Sequence, residues 1–229
     1  MPEYAITFDQ QYIRRQFEKA VGRSVVKVLT EPVTNSDDSY ERLGAQGATG
    51  GPGSGEIVIE FDRTRRTFSV IDQAEGMTAD QMHDRFVVYG QQSPDRAAGI
   101  RTRSLFGKGL RDVLFTQEQS VVQSIRDGKS YVCKFRLRSR SGENKPVIEI
   151  ASGPRVDEAL RRAWGIHGNG TRVQFRLNKA MSLPQADRLE GDLVRFYMLR
   201  PLLSRPDRIV ILRIVGRAGT EDRLLRYGP

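Results

Sequence analysis

Two stretches in the first part of the chain place apolar residues at helical spacing. After Asp9, a candidate N-cap, the first stretch predicts an amphipathic helix that ends at Gly22. Its apolar face consists of Tyr12, Ile13, Phe17, Ala20 and Val21. The second stretch, over residues 24–43, has an apolar first half and a polar, acidic second half. Six glycines follow among residues 44–55, and this composition predicts a loop.

Beyond residue 55 the pattern is mainly that of β-strands. Two apolar runs, Glu56–Asp62 and Thr67–Asp72, are joined by a short polar turn and predict a hairpin. Further strands are predicted over residues 119–125, 131–138, 146–151, 171–177 and 208–215. Helices are predicted over residues 78–86 and 184–199, and an irregular, mobile loop over residues 90–109. This order indicates an α+β fold with a mostly antiparallel sheet and helices on one face.

Composition narrows the class of protein. The chain has 229 residues, of which 38% are hydrophobic and 28% charged, as in a globular domain. Its net charge of +9 suits an anionic partner but identifies none. Cys133 is the only cysteine, which excludes an internal disulfide and a cysteine-cluster metal site. The longest apolar run is too short to span a bilayer, and the N-terminus lacks the pattern of a signal peptide. We therefore expect a cytoplasmic protein with no membrane partner.

The first candidate for chemistry is the acidic half of the second helix. Glu31, Asn35 and Asp38 stand at i, i+4 and i+7, so all three project from one helix face. An amide oxygen suits Mg²⁺, and a carboxylate beside a bound water accepts its proton. The alternative interpretation of this pattern, taken alone, is a solvated helix face.

A second candidate lies where the hairpin ends. Asp72 closes an apolar strand and is followed by a turn that contains Gly76. A carboxylate at a strand end is placed to accept a hydrogen bond from an exocyclic amine such as adenine N6, and a glycine lets the backbone approach the ring. An ordinary strand-to-helix turn is the alternative interpretation.

The third and fourth candidates are a glycine turn and a late strand. Gly107 and Gly109 flank Lys108 directly before a helix pattern, and this arrangement favours anion binding. The spacing does not fit a Walker A loop, because Gly109 follows Lys108 where that motif needs Ser or Thr after its lysine. In the late strand, Thr171 supplies a hydroxyl able to bond the base directly or through water.

The order and spacing of these four elements resemble the GHKL superfamily, which includes gyrase B, MutL, MORC, the ninety-kilodalton heat-shock chaperones and sensor histidine kinases. The resemblance covers nearly the whole chain and is strongest to the MutL, MORC and chaperone branch. It implies a Bergerat-type two-layer α+β sandwich in which ATP lies between helices and sheet. Residues 1–205 would form the ATP-binding domain, with a glycine-rich loop at 44–55 and an ATP lid at 86–109. Residues 206–229 would hold the last strand and the start of a truncated following domain.

The resemblance also implies roles for individual residues. Glu31 looks like the general base, Asn35 like the Mg²⁺ ligand and Asp72 like the adenine acceptor. The nucleotide-binding set implied in this way is Asn35, Asp38, Asp72, Gly76, Met77, Gly107, Lys108, Gly109, Leu110 and Thr171. Two departures from the family pattern concern backbone geometry. Ala74 replaces one glycine of the usual D-x-G-x-G, and Pro32 beside Glu31 predicts either a first-turn position or a kink.

Three functional hypotheses follow. The first is an ATPase that hydrolyses ATP slowly with Mg²⁺ and couples lid closure to homodimerisation or to engagement within a larger complex. The second is a nucleotide-gated binding module that does not hydrolyse ATP. The third is contact with nucleic acid through Lys134, Arg136, Arg138 and Arg140, which alternate with apolar residues on one strand. The solvated face of a sheet is the alternative interpretation of that alternation.

Overall fold

The structure is a computed structural model that describes residues 22, 24–47, 55–87, 108–140, 143–217 and 219–228. The side chains of residue 108 and of residues 137–145 are outside this description. The predicted first helix, nearly all of the predicted lid and Gly107 also lie outside the described residues.

The described residues form six helices and eight strands. The helices are α1 (Val25–Ala45), α2 (Ala79–Phe86), α3 (Lys108–Phe115), α4 (Glu158–Trp164), α5 (Ala186–Arg195) and α6 (Arg200–Leu203). The strands are β1 (Glu56–Asp62), β2 (Thr67–Asp72), β3 (Gln119–Arg126), β4 (Lys129–Arg140), β5 (Glu143–Arg155), β6 (Gly170–Arg176), β7 (Ile209–Gly216) and β8 (Gly219–Leu225). No helix in the described part of the chain is both long enough and apolar enough to cross a membrane.

All eight strands belong to one sheet in the order β5-β4-β3-β6-β2-β1-β7-β8. Neighbouring strands are antiparallel except β1 and β7, which pair in parallel. The prediction of an α+β fold with a mixed, mostly antiparallel sheet is therefore confirmed. Strands β2 and β6 lie at the middle of the sheet, where Asp72 is the cross-strand partner of Thr171.

The main hydrophobic core lies between one face of the sheet and α1, α3 and α5. Alternate residues of the central strands point into it, as the period of a strand requires. Phe61 and Phe68 stack with ring centroids 4.5 Å apart, and Phe68 stacks on Phe175 at 5.8 Å. Helix α1 adds Val28, Leu29 and Val33, which are all fully buried. This packing fixes α1 against the strands that carry Asp72 and Thr171.

Helix α4 corrects the prediction that the helices lie on one sheet face. Its Trp164 packs in a second, smaller cluster with Val58, Ile71 and Ile125, whose side chains point away from the main core. Asp157 caps the helix by accepting from the Leu160 N–H, and Gly165 ends it in the left-handed conformation. Each face of the sheet therefore has its own apolar cover.

Several predicted bounds also change. Strands β1 and β2 have the predicted bounds, whereas α5 ends at Arg195 because the chain becomes extended at Phe196. Strand β8 was not predicted. Because β7 pairs with β1 and β8 pairs with β7, the described residues after 205 continue the same sheet. The predicted irregular loop ends earlier than expected, since α3 begins at Lys108 and includes Gly109.

Two leucines near the edge of the sheet, one buried and one exposed, test the register of β7 and β8. Leu212 on β7 is fully buried, whereas Leu224 on β8 is 57% exposed. We expect Leu212→Ala to lower the free energy of unfolding by about 2–5 kcal/mol and Leu224→Ala to lower it by less than about 1 kcal/mol. Denaturant unfolding of both variants measures the difference. Equal losses would contradict this register of β7 and β8.

Candidate functional site

The carboxylate of Asp72 lies at the centre of the sheet, at the end of β2. The residue is only 4% exposed. Three donors from three parts of the fold surround it: the Ser36 hydroxyl of α1 donates to Oδ2 at 2.9 Å, and the N–H groups of Ala74 and Thr171 donate to Oδ1, each at 3.1 Å. These bonds leave Oδ2 with one protein donor and with capacity for a further one.

Burial raises the pKa of Asp72 to about 6, although the hydrogen bonds to its carboxylate act to lower that pKa. The Ala74, Ser36 and Thr171 donors and the positive charge of Arg42 each favour the ionised form and limit the rise. Asp72 is thus a buried acceptor that is mostly ionised at neutral pH.

The turn after Asp72 depends on glycine at one position. Gly76 has φ of +68°, and a Cβ there would overlap the backbone oxygen of Ile125. Among the described non-glycine residues only Arg66 and Asp127 have positive φ. Ala74 therefore needs no glycine-specific backbone, and the departure from the family pattern at this position is accommodated.

The residues beside this turn are held by the neighbouring strands. The Met77 N–H donates to the Ser124 hydroxyl at 2.6 Å, and that hydroxyl donates to the Gly170 carbonyl at 3.0 Å. The Met77 side chain packs against the main core. Thr171 contributes its backbone N–H to Asp72, whereas the prediction assigned a role to its hydroxyl. That hydroxyl role stays a prediction.

Glu31 approaches the start of α3. A Cβ added at Gly109 would overlap the carboxylate group of Glu31. The absence of a side chain at Gly109 thus gives the Glu31 carboxylate its place beside the first turn of α3, where backbone N–H groups favour negative charge. Burial, followed by the nearby carboxylates of Asp112 and Asp38, raises the pKa of Glu31.

Pro32 lies inside α1, beyond its first turn. It has no N–H to donate to the carbonyl one turn earlier, yet the helix continues to Ala45. The hydroxyls of Thr30 and Thr34 donate to backbone carbonyls one turn back, at 2.7 and 2.9 Å. The first-turn alternative for Pro32 is therefore wrong, and Glu31 sits within a continuous helix.

Asn35 and Asp38 follow Glu31 along the same helix. Asn35 is half-buried and Asp38 is 4% exposed. The effect of Asp38 on the pKa of Glu31 agrees with the prediction that these residues share one side of α1. Asp38 is more buried than a solvated helix face would allow, so that alternative does not describe it.

The second half of α1 is fastened to the segment before β7. The Arg208 Nε donates to Asp37 Oδ1 at 2.8 Å, and the Arg208 guanidinium lies 5.1 Å from the centre of the Tyr40 ring. Asp37 and Arg208 are both buried. The Tyr40 hydroxyl donates to the Glu56 carbonyl at 2.7 Å and accepts from the Gln73 N–H at 2.8 Å. These contacts fix the distance between α1 and β2.

The remaining predicted residues have different surroundings. Lys108 begins α3, and Leu110 is 8% exposed with its side chain in the main core. Leu110 can therefore offer a ligand only its backbone. On β4, Cys133 and Phe135 are buried while Lys134 and Arg136 are exposed, which confirms the alternation. The side chains of Arg138 and Arg140 lie outside the described residues, so the nucleic-acid hypothesis stays a prediction.

Sequence reasoning missed Ser36, which supplies the only side-chain donor to the Asp72 carboxylate in the described structure. Ser36 is adjacent to Asn35 and so projects from a different side of α1. A search for residues four apart on that side would have paired Ser36 with Tyr40, whose hydroxyl binds the residue after Asp72. The four-residue spacing of Ser36 and Tyr40 was therefore the signal in the sequence that could have identified Ser36.

No group of three or more His, Cys, Asp or Glu side chains in the described ranges is arranged to hold a metal ion. No protein-family model matches the chain, and no curated protein matches it significantly. Membership of the GHKL superfamily therefore stays a prediction, and function is inferred from the chemistry of the site.

The raised pKa of Asp72 predicts a specific pH dependence of stability. Between the ordinary pKa of an aspartate and about 6, the folded protein holds a proton that the unfolded chain has lost. The resulting stabilisation is present at low pH and is lost as the pH rises through about 6.

Asp72→Asn should abolish this dependence, because its amide oxygen accepts from both N–H groups and its nitrogen donates to Ser36. Relative to this variant, the unfolding free energy of the parent should fall by roughly 3 kcal/mol between about pH 4 and pH 7. Denaturant titrations across that range provide the measurement. A difference that stays constant with pH would contradict the raised pKa.

Proposed function

We propose that the chain binds ATP with Mg²⁺ and hydrolyses it slowly, and that nucleotide binding is coupled to lid closure and to formation of a homodimer or a larger complex. The observation that carries this proposal is the position of α1. Its Glu31 lies beside the first turn of α3, and its Ser36 donates to Asp72. One helix thus borders both a buried acceptor suited to a base and a helix start suited to phosphate.

At the base end, Asp72 is the recognition group. Oδ1 already accepts two backbone N–H groups, whereas within the described ranges Oδ2 accepts only the Ser36 hydroxyl. An exocyclic amine such as adenine N6 would donate a second hydrogen bond to Oδ2. A carbonyl at the same ring position would be repelled, because two acceptors would then face each other. Gly76 supports this role because its left-handed backbone lets the turn after Asp72 pack closely against β3.

At the phosphate end, the first backbone N–H groups of α3 would bind oxygen anions. The Asn35 amide oxygen would hold Mg²⁺ together with the phosphates, and the ion would neutralise their charge. The other ligands of the ion would come from the phosphates and from water.

The proposal includes a Bergerat-type arrangement, with the nucleotide between the helices and the sheet beneath a lid over residues 86–109. Two features support it. Asp72 ends a central strand and faces α1, and α1 and α3 both pack on the main core. The base and phosphate ends then lie on the same side of the sheet.

Glu31 is the proposed general base. A carboxylate whose pKa is raised above its usual value accepts a proton from water more effectively than an ordinary one. Because the ionised form is the active form, turnover should increase as the pH rises through the raised pKa of Glu31.

Glu31→Gln tests this role. The variant keeps the side-chain volume but cannot accept the proton, so we expect unchanged ATP affinity and a loss of turnover of about a hundredfold or more. The control is Glu118→Gln, at an exposed glutamate before β3, which should leave both quantities unchanged. Isothermal titration and phosphate release measure them. Turnover equal to that of the parent would remove Glu31 as the base.

A non-hydrolysing, nucleotide-gated module is the second candidate. It is favoured by the contact of Glu31 with Gly109, since the carboxylate takes the position at the α3 start that phosphate would need. In this case nucleotide binding displaces Glu31 and moves α3 without cleavage of the phosphate.

Turnover per chain, measured over a wide range of protein concentration, separates the two candidates. Hydrolysis coupled to dimerisation should give a rate per chain that rises with concentration and then saturates, because mass action populates the dimer. A near-zero rate at every concentration, with ATP still bound, would favour the module and contradict the ATPase.

A further inference from the structure

The turn that follows Asp72 is held by an ion pair that neither the family pattern nor the proposed function uses. The Arg42 Nε on α1 donates to Glu75 Oε1 at 2.5 Å. Both side chains are nearly buried, with exposures of 8% for Arg42 and 10% for Glu75. Ser39, also on α1, lies 3.4 Å from the same carboxylate oxygen.

A second arginine holds the turn from the opposite side. Arg126 of β3 donates from Nη1 to the Gly76 carbonyl at 3.3 Å and to Gln81 Oε1 at 3.2 Å. The same nitrogen lies 4.0 Å from Glu75 Oε2. Glu75 is therefore placed between α1 and β3, and its backbone leads directly into Gly76.

These contacts connect the two ends of the candidate site. Arg42 is on the helix that carries Asn35, and Glu75 is in the turn between Asp72 and Gly76. A buried ion pair contributes little net stability but is costly to break on one side only, so it fixes relative position. The charge of Arg42 also lowers the pKa of Asp72.

We propose that Arg42 and Glu75 are positioning residues for base recognition, which hold the Asp72 to Gly76 turn at a set distance from α1. This inference rests on the proposed function. By fixing this distance, the pair would make the site prefer a base that presents an amine to Asp72 over one that presents a carbonyl. Loss of the pair should therefore affect base selectivity more than the phosphate contacts made through Asn35 and α3.

Two double variants separate position from charge. Arg42→Ala with Glu75→Ala removes both partners of the ion pair. Arg42→Gln with Glu75→Gln keeps the connection, because the Gln Nε2 takes the place of the Arg Nε, but it removes both charges. The matched control is Asp222→Asn, which alters an ion pair with Arg213 at the sheet edge, where the two groups are 2.8 Å apart.

The first measurement is the ratio of the ATP and GTP dissociation constants, from isothermal titration with Mg²⁺. The alanine pair should reduce the preference for ATP by about tenfold or more, the glutamine pair should retain most of it above pH 8, and the control should match the parent. An unchanged ratio in the alanine pair would overturn the proposal. Equal loss of affinity for both nucleotides would also overturn it, since the pair would then be only structural.

The second measurement needs no nucleotide. The pKa of the Asp72 carboxyl, followed by carbon NMR, should rise in the single variant Arg42→Gln, which removes the Arg42 charge and keeps Glu75, and should not change in Asp222→Asn. An unchanged Asp72 pKa in Arg42→Gln would overturn the coupling of Arg42 to Asp72, even if the alanine pair fails to fold. Failure of the parent to bind either nucleotide would refute the proposed function and leave this titration as the test of the pair.

Discussion

The structure depends on the burial of one carboxylate at the centre of its sheet. An ionised side chain buried to this degree is tolerated only when donors replace the water it has lost. Asp72 obtains them from α1, from its own turn and from β6, so these three elements must converge on it. Close approach is part of the same constraint, because a Cβ at Gly170 would overlap the Asp72 carbonyl oxygen.

Helix α1 satisfies this constraint on one side and carries candidate chemistry on another. Ser36 and Tyr40, one turn apart, bind Asp72 and the backbone of Gln73. The side that carries Glu31 faces the start of α3. The apolar residues of α1 and the buried pair of Asp37 with Arg208 keep the helix from sliding along the sheet. The position of α1 relative to Asp72 is therefore fixed before any ligand binds.

Local patterns predicted the strands well and the tertiary contacts poorly. The bounds of β1 and β2 follow from apolar runs that end in turn residues, and Asp72 was found because it closes such a run. Helix α4 was missed although its cap residues, Asp157 and Gly165, were present, because seven residues are too few to show a helical period. Gly109 was placed in a loop because glycine rarely begins a helix pattern.

The contacts that organise the candidate site join residues far apart in sequence. Ser36 and Asp72 are 36 positions apart, and Arg42 and Glu75 are 33 apart. Neither pair follows from helix or strand spacing, because each depends on how α1 is placed on the sheet. Sequence therefore indicated which residue types belong to the candidate site, whereas packing determined which of them touch.

A crystal structure with Mg²⁺ and a non-hydrolysable ATP analogue would test the proposed nucleotide site most directly. We predict the adenine N6 within about 3.2 Å of Asp72 Oδ2, and the Asn35 amide oxygen about 2.1 Å from Mg²⁺. We also expect phosphate oxygens at the first turn of α3, with Glu31 displaced from Gly109. A nucleotide bound away from Asp72, or none bound at saturating concentration, would contradict the proposed site.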